Sequence, residues 1–237
     1  MTKYLAYILN LIYPPRCEIC TGELPTASRH RICLACFRKI ILIGEYSCYR
    51  CGKPLQIATK FCADCRGNDG LSFDRIVAAG IYQGVLRDSI RIFKYGGRSC
   101  LGMELGQLLQ DVYRRNFLDR PADFLIPVPL HKKQSRKRQY NQSAILADSL
   151  GKAFAVPVWP KALARTRATA PQYELDKNER AENVRGAFRW QGRGRVEGRR
   201  VLLIDDICTT GSTINECACV LKAQGAAEVY GLVLAHG

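Results

Sequence analysis

The sequence predicts an α/β domain built on a parallel sheet, preceded by a small cysteine-rich module held together by metal. Three observations carry this expectation. Eight of the twelve cysteines fall in four Cys-x-x-Cys pairs before residue 66. Apolar runs of strand length alternate with helical periodicity from residue 75 onward, and strands separated by helices favour a parallel sheet covered on both faces. One such run, VLLIDDICTTGST at 201–213, ends in two carboxylates and a loop of small residues. A chain of 237 residues can bury one substantial core plus a satellite module. The turn-like RGNDG at 66–70 divides it into residues 1–70 and residues 71–237.

The head opens on YLAYILNLIY at 4–13, far short of the roughly 20 apolar residues that cross a bilayer. It runs into Pro14, Pro15, Arg16 and Cys17 without a small-residue cleavage site, so it reads as a short amphipathic helix, with no membrane span. The pairs Cys17/Cys20, Cys33/Cys36, Cys48/Cys51 and Cys62/Cys65 give C-x2-C-x12-C-x2-C and then C-x2-C-x10-C-x2-C. Taken in order, this spacing suits two four-thiolate zinc sites, each closed and therefore structural. Which pairs share an ion is left open by spacing alone. Disulfides in an oxidising compartment are the competing reading. Gly22 and Gly52, just after two of the pairs, fit tight knuckle turns. A head of about 65 residues is too small to fold securely on apolar packing, so zinc should supply folding energy. Cys100, Cys208, Cys217 and Cys219 lack the pairing and are expected to pack as small hydrophobes. A redox-sensitive thiol is the alternative for Cys208.

Beyond the boundary, RIVAAGIY (75–82) reads as a first strand and 86–94 as a helix, followed by a break at Gly96 and Gly97. A helix near 101–116 leads into the strand DFLIPVP at 123–129, and 141–154 forms the next helix, with apolar residues at 145, 146, 150 and 154 on one face. The stretch 165–200 is polar and Arg-rich, interrupted by VRGAFRW. Regular structure resumes with a strand at 201–205, a helix at 213–224 and a last strand at 228–236.

In open parallel sheets, ligands sit beyond the carboxyl ends of the strands, where Asp205 and Asp206 follow VLLI. Thr209, Thr210, Gly211, Ser212 and Thr213 would wrap the start of the next helix. Backbone N–H groups, the helix dipole and the hydroxyls there make a phosphate cradle. The carboxylates would repel a phosphate and instead suit sugar hydroxyls or a nearby magnesium ion. A ribose 5-phosphate moiety satisfies both halves. A strand ending in solvated Asp residues with an ordinary helix cap is the plainer alternative. The motif is not a Walker loop, which requires G-x-x-x-x-G-K-[ST].

The formal charge is +15, and residues 131–200 hold 17 basic against 6 acidic residues, which points to polyanionic partners. Two four-thiolate zinc sites lower that total to about +11. His131, Lys132 and Lys133 follow the strand DFLIPVPL and could hold a second anionic group; a solvated basic loop is the alternative. Lys132, Lys133, Arg136, Lys137 and Arg138 place five cations in seven positions beside Tyr140. That run is a candidate surface for single-stranded DNA, with Tyr140 stacking on a base. No residue stands out as a general base, so the catalytic residues and the acceptor are unreadable.

The stretch 201–213 resembles the phosphoribosyl pyrophosphate (PRPP) motif of type I phosphoribosyltransferases. The resemblance implies Asp205 and Asp206 on the ribose hydroxyls, Thr209 to Thr213 on the 5-phosphate, and magnesium with the pyrophosphate. It also implies a loop over 165–188 that closes above the site; a merely disordered loop is the alternative. With the double cysteine module, PVPLH at 127–131, R-Q-Y-N-Q at 138–142, the pattern Arg165, Thr169, Gln172, and Arg180 with Asn183 ahead of Gly186, the whole chain is similar to the ComF family of competence proteins. That likeness implies a cytoplasmic protein that handles single-stranded DNA during DNA uptake, working with other competence proteins. An active phosphoribosyltransferase is the alternative function, and a repressor-like regulator lacks a helix-turn-helix pattern to support it. One departure is Gln139, where the family usually has glycine, which puts a positive-φ conformation there in doubt.

Overall fold

The computed structural model describes residues 14–26, 28, 30–68, 70–167, 177–192 and 194–237; the side chains of Lys137, Lys177 and Asn178 are also left aside. The amphipathic helix expected at 4–13 therefore lies outside the described residues. In chain order the elements are α1 (Leu34–Phe37), β1 (Arg75–Ile81), α2 (Gly84–Tyr95), α3 (Gly102–Phe117), β2 (Phe124–Pro127), α4 (Lys132–Arg138), α5 (Gln142–Phe154), β3 (Leu163–Arg165), α6 (Lys177–Val184), β4 (Phe188–Trp190), β5 (Arg200–Cys208), α7 (Ser212–Ala223) and β6 (Glu228–His236). A 3-10 turn, Ser99–Leu101, leads into α3.

Four strands make one sheet in the order β1-β6-β5-β2, and every pairing in it is parallel. The strands are nearly continuous apolar runs because both faces are covered, and period-two alternation sorts their side chains between two cores. Leu125, Leu202, Ile204, Leu232 and Leu234 join Leu86, Phe93, Leu105 and Leu146 from α2, α3 and α5. Ile126, Val201, Leu203, Val229 and Val233 face Ile214, Cys217 and Leu221 of α7, with Phe188 of β4.

Two stretches depart from the expected order. The basic run at 132–138 is a helix, α4, although it has no apolar stripe to signal one. Its start is capped by His131, whose Nδ1 accepts the Lys133 N–H at 3.3 Å. Its end is Gln139, which does adopt the left-handed conformation at φ 67°, a geometry that costs an L residue roughly 1–2 kcal/mol. The Arg-rich stretch contains the antiparallel hairpin β3/β4 and the helix α6, short elements without a long periodic pattern.

The head packs as part of the main domain. Leu42 bridges Gly80 antiparallel to β1, and the Ile43 N–H donates to the Ala79 carbonyl at 3.0 Å. A Cβ on Gly80 would lie 2.8 Å from the Ile41 carbonyl and 2.6 Å from the Leu86 side chain, so the approach requires glycine. The Arg31 N–H donates to the buried carboxylate of Glu104 on α3. Cys17, Leu24, Ile32, Cys36 and Ile40 belong to the same buried cluster as the helices of the α/β domain.

The cysteines group in sequence order, Cys17/Cys20/Cys33/Cys36 and Cys48/Cys51/Cys62/Cys65, with the sulfurs of each set within 4.8 Å of one another. Cys20 and Cys33 sulfurs lie 3.7 Å apart and those of Cys51 and Cys62 3.8 Å. A tetrahedron with Zn–S near 2.3 Å has edges of about 3.8 Å, whereas a disulfide is about 2.05 Å. The donor set fits two structural zinc ions and no cysteine is bridged. Burial raises the Cys17 thiol, but N–H groups of Cys20, Cys33 and Ile19 outweigh it and bring it down to about 6. Cys48 comes down to about 7 by the same balance, through Cys51, Cys62 and Arg50. In the same clusters burial pushes Cys36 and Cys65 up to about 12. The left-handed turn after the first pair falls on Thr21 (φ 60°) and not on Gly22; after the third pair it falls on Gly52 (φ 73°).

The four remaining cysteines do not share one environment. Cys208 and Cys217 are buried and Cys219 is partly buried, but Cys100 is exposed, which corrects its assignment as a packed hydrophobe. Burial, with Asp205 adding to it, pushes the Cys208 thiol up to about 12, unfavourable for a redox-sensitive thiolate.

Because the head supplies both core residues and a sheet-edge bridge, zinc chelation should destabilise the whole chain. Thermal unfolding with excess chelator is expected to show one transition shifted down by at least about 3 °C, the effect of about 1 kcal/mol on a chain of this size. An unchanged transition, or fewer than two zinc equivalents in protein purified without chelator, would contradict it.

Candidate functional site

β5 runs three residues beyond the expected end, to Cys208, so the acidic pair lies inside the strand. Asp205 is paired with Val233 on β6. Its Oδ1 accepts the Ser143 hydroxyl of α5 at 3.0 Å and the Asp206 N–H at 2.9 Å. Asp206, 7% exposed, lies 2.7 Å from the Nζ of Lys94 at the end of α2. Burial, then the Asp206 charge, pushes the Asp205 carboxyl up to about 7, with Lys94 and the two hydrogen bonds acting in the opposite sense. Arg165 on β3 also feels this charge: burial lowers the guanidinium pKa and Asp205 raises it. Lys94 and Ser143 were absent from the sequence-derived site. The Lys-Tyr-Gly-Gly break after α2 was visible, but nothing in it said that it faces β5.

The loop beyond β5 forms a hollow lined by residues 207–214. Gly211 takes φ 79° and precedes the first turn of α7. The Thr210 and Ser212 hydroxyls lie 2.7 Å apart, and the Asn215 N–H donates to the Gly211 carbonyl at 2.8 Å. Thr209, Thr210, Ser212 and Thr213 are all partly exposed. Hydroxyls and helix N–H groups therefore converge where an anionic group can be met.

Opposite it, the chain after β2 turns at Val128, whose N–H donates to the Ile204 carbonyl at 2.9 Å. Asn141 closes the excursion through α4 by donating to the Val128 carbonyl at 3.0 Å. Lys132, Lys133 and Arg136 are exposed on α4. Arg138 lies over the Tyr95 ring, 4.9 Å from its centroid, and donates to the Tyr95 hydroxyl at 3.1 Å. The Tyr140 ring packs on Phe93 at 5.8 Å and its hydroxyl donates to the Phe93 carbonyl. Tyr140 is thus half-buried with its hydroxyl engaged, and Tyr95, 61% exposed, is the more accessible of the two rings. His131 uses its Nδ1 for the helix cap and is partly exposed.

The residues assigned to a closing loop divide. Arg165 sits in β3 over the Phe188 ring, 5.4 Å from its centroid, while Arg180 and Asn183 are on α6. Thr169 and Gln172 lie outside the described residues. The arms are fastened by Arg167, which donates to the carbonyls of Asn183 and Arg185, and by the Gly186 N–H, which donates to Glu216 on α7 at 2.8 Å.

Residues 8–66 match the model of the Double zinc ribbon domain and residues 143–236 that of the Phosphoribosyl transferase domain. Competence protein F of Haemophilus influenzae is 33% identical over 227 residues, covering 93% of this chain and 97% of its own. The chain belongs to the ComF family of competence proteins. Other members align similarly. DNA utilization protein YhgH of Escherichia coli K12 is 32% identical over 92% of this chain and 96% of its own. Competence protein ComFC of Bacillus subtilis is 25% identical over 86% and 83%. Among solved structures, the glutamine PRPP amidotransferase of B. subtilis matches 56% of this chain and 26% of its own at 22% identity and TM-score 0.39.

In this ComF chain the raised Asp205 carboxyl links stability to pH. The folded carboxyl holds its proton more tightly than the unfolded one, whose value is near 3.9. Its contribution is therefore fully present below about pH 4 and is lost as pH rises to about 7, at up to about 1.4 kcal/mol per pH unit. Asp205→Asn removes this dependence. Urea unfolding should show the variant gaining on the parent by on the order of 1–3 kcal/mol between about pH 5 and 7. A constant difference would contradict the assignment.

Proposed function

We propose that the protein handles single-stranded DNA in competence and keeps a site for PRPP or a related ribose phosphate. The observation that carries the second half is the contiguity of the loop 209–213 with a carboxylate pair held by Lys94 and Ser143. In this reading Thr209, Thr210, Gly211, Ser212 and Thr213 receive the 5-phosphate. Asp205 and Asp206 accept the ribose hydroxyls. Lys94 neutralises Asp206 until a hydroxyl arrives, which limits the cost of a buried carboxylate. The pyrophosphate, carried with magnesium, would lie toward Lys132 at the end of β2, and magnesium would supply charge neutralisation there. The relatives named for competence and DNA utilization support the first half, with other competence proteins as partners and the cytoplasm as the place of action. No helix among the described residues is long and apolar enough to cross a membrane.

DNA would meet the exposed cations of α4, with Tyr95 as the stacking ring in place of Tyr140. The 17 basic residues of 131–200 exceed what one pyrophosphate requires. A second reading, an active transferase releasing pyrophosphate to an unidentified acceptor, is favoured by a cavity on the far side of the phosphate loop. A screen of pyrophosphate release with candidate acceptors separates the two.

For the PRPP site, Asp205→Asn combined with Asp206→Asn keeps size but exchanges acceptors for donors. Calorimetric titration with PRPP and Mg²⁺ should show affinity falling at least about tenfold, or 1.4 kcal/mol, with zinc content intact. Unchanged affinity in the folded double variant would refute the assignment.

For DNA, Lys132, Lys133 and Arg136 changed together to Gln should weaken binding of a single-stranded oligonucleotide. The log–log salt slope should flatten by about 2, at about 0.7 for each phosphate that is no longer neutralised. Equal affinity and slope in parent and variant would place the DNA elsewhere, with the zinc head the next surface to test.

A further inference from the structure

The two cysteine clusters differ in what covers them. In the second, all four cysteines are buried, from 1% to 8% exposed, and Leu55, Phe61 and Leu71 pack against them. In the first, Cys17 and Cys36 are buried in the core shared with α2 and α3, but Cys20 is exposed and Cys33 partly exposed. The backbone shows why Cys20 lacks cover. Two residues on stands Gly22, and a Cβ there would lie 3.4 Å from the Cys20 sulfur, in van der Waals contact with it. Glycine leaves that side of the sulfur open.

Backbone hydrogen bonds sharpen the contrast. The Cys33 N–H donates to Cys17 Sγ at 3.3 Å and the Cys36 N–H to Cys33 Sγ at 3.4 Å. The Cys20 sulfur accepts no backbone N–H among the described residues and lies 3.7 Å from that of Cys33. Metal ligation requires all four thiols to be deprotonated, and the reactivity of a thiolate follows its charge and its access to solvent. Exposure therefore decides among these sulfurs. Cys20 is the one a small oxidant reaches, and Cys33 is placed to complete a disulfide. Closing their gap to the about 2.05 Å of an S–S bond moves side chains at the surface. In the second cluster the same closure would displace side chains packed under Leu55, Phe61 and Leu71.

We propose that Cys20 and Cys33 form an oxidation site through which hydrogen peroxide removes the zinc of the first cluster and leaves the second intact. The Cys20 thiolate attacks one oxygen of the peroxide; the O–O bond breaks, a sulfenic acid forms and hydroxide leaves. The Cys33 thiolate then attacks the sulfenic sulfur, the S–S bond forms and a second hydroxide leaves. The two sulfurs together give up two electrons, the peroxide takes them, and two protons from solvent turn the hydroxides into water. Cys17 and Cys36 remain, too few ligands for a closed structural site. The half of the head that packs on α2 and α3 thus loses its metal, while the half that faces Thr209 and Thr210 keeps it. Only zinc ligation is presupposed; PRPP and DNA do not enter.

The test starts from the full-length, zinc-loaded protein in a Cys100→Ser background, which removes the exposed thiol outside the clusters. Hydrogen peroxide is added with a chromogenic zinc indicator present, and the remaining thiols are then alkylated after unfolding and mapped by peptide mass spectrometry. One zinc equivalent should be released at least about tenfold faster than the other, exposure being the controlling factor. The disulfide should map to Cys20 and Cys33, with Cys48, Cys51, Cys62 and Cys65 alkylated. Dithiothreitol followed by zinc should restore both equivalents, since a disulfide is reducible. Gly22→Ala, at a position without positive φ, puts a methyl group over Cys20 and should slow only the first release, by about twofold or more. Phe61→Ala uncovers the second cluster and should speed only the second release. Equal release rates in the parent, earlier loss from the second cluster, a disulfide on another pair, or parent-like rates in both variants overturns the proposal. Fewer than two zinc equivalents at the start overturns the zinc assignment and this proposal with it.

Discussion

Two adjacent carboxylates inside a central strand cannot both stay charged and dry without compensation, and the arrangement around β5 answers that constraint. Asp206 is buried and Asp205 half-buried, so much of the compensation has to come from side chains brought by other elements. Lys94 arrives from the end of α2 and lies 2.7 Å from Asp206. Ser143 arrives from the start of α5 and donates to Asp205. Arg165 adds a partly compensating charge from β3. Three elements far apart in the chain are thereby held at the carboxyl end of one strand. The balance is incomplete, since Asp205 still keeps its proton to about pH 7, and such perturbation in a cleft is typical of groups kept for ligands.

The zinc module contributes in two ways that share one cause. A head of this size cannot bury enough apolar surface alone, and its two clusters replace that deficit with metal bonds. Their rigidity then lets the module act as part of the larger domain. Ile32, Cys36 and Ile40 of the first half complete the core over α2 and α3. The second half faces Thr209 and Thr210 across a cavity, and the Arg50 carbonyl accepts the Ile76 N–H of β1 at 2.7 Å. Metal ligation and ligand surroundings are consequently joined through a few backbone bonds.

The basic helix shows how charge is placed without apolar anchoring. α4 has no buried face to fix it, and its position follows from its two ends: the His131 cap at one side, Arg138 against Tyr95 and Gln142 at the other. The excursion is pinned at its base by Asn141 on the Val128 carbonyl. Exposed cations beside an exposed aromatic ring give a surface of one electrostatic character from two separate parts of the chain.

Local information sufficed wherever function depends on neighbours in sequence. The strand-to-helix unit 201–223 was legible because apolar run, acidic pair and small-residue loop are consecutive, and that order sets a strand end against a helix start. The cysteine pairs were legible because tetrahedral thiolate ligation needs short spacing within each pair; their grouping into two sets was not, since it depends on how the knuckles pack. α4 and the β3/β4 hairpin escaped periodicity because neither is long or amphipathic enough to show it. Tyr140 and Tyr95 could not be told apart in sequence, yet packing half-buries one against Phe93 and leaves the other 61% exposed beneath Arg138. Lys94 and Ser143 lie 112 and 62 positions from the carboxylates they meet, Asp206 and Asp205. Only the crossing of the parallel sheet, which brings the ends of separate strands and helices to one edge, decides that they share a site.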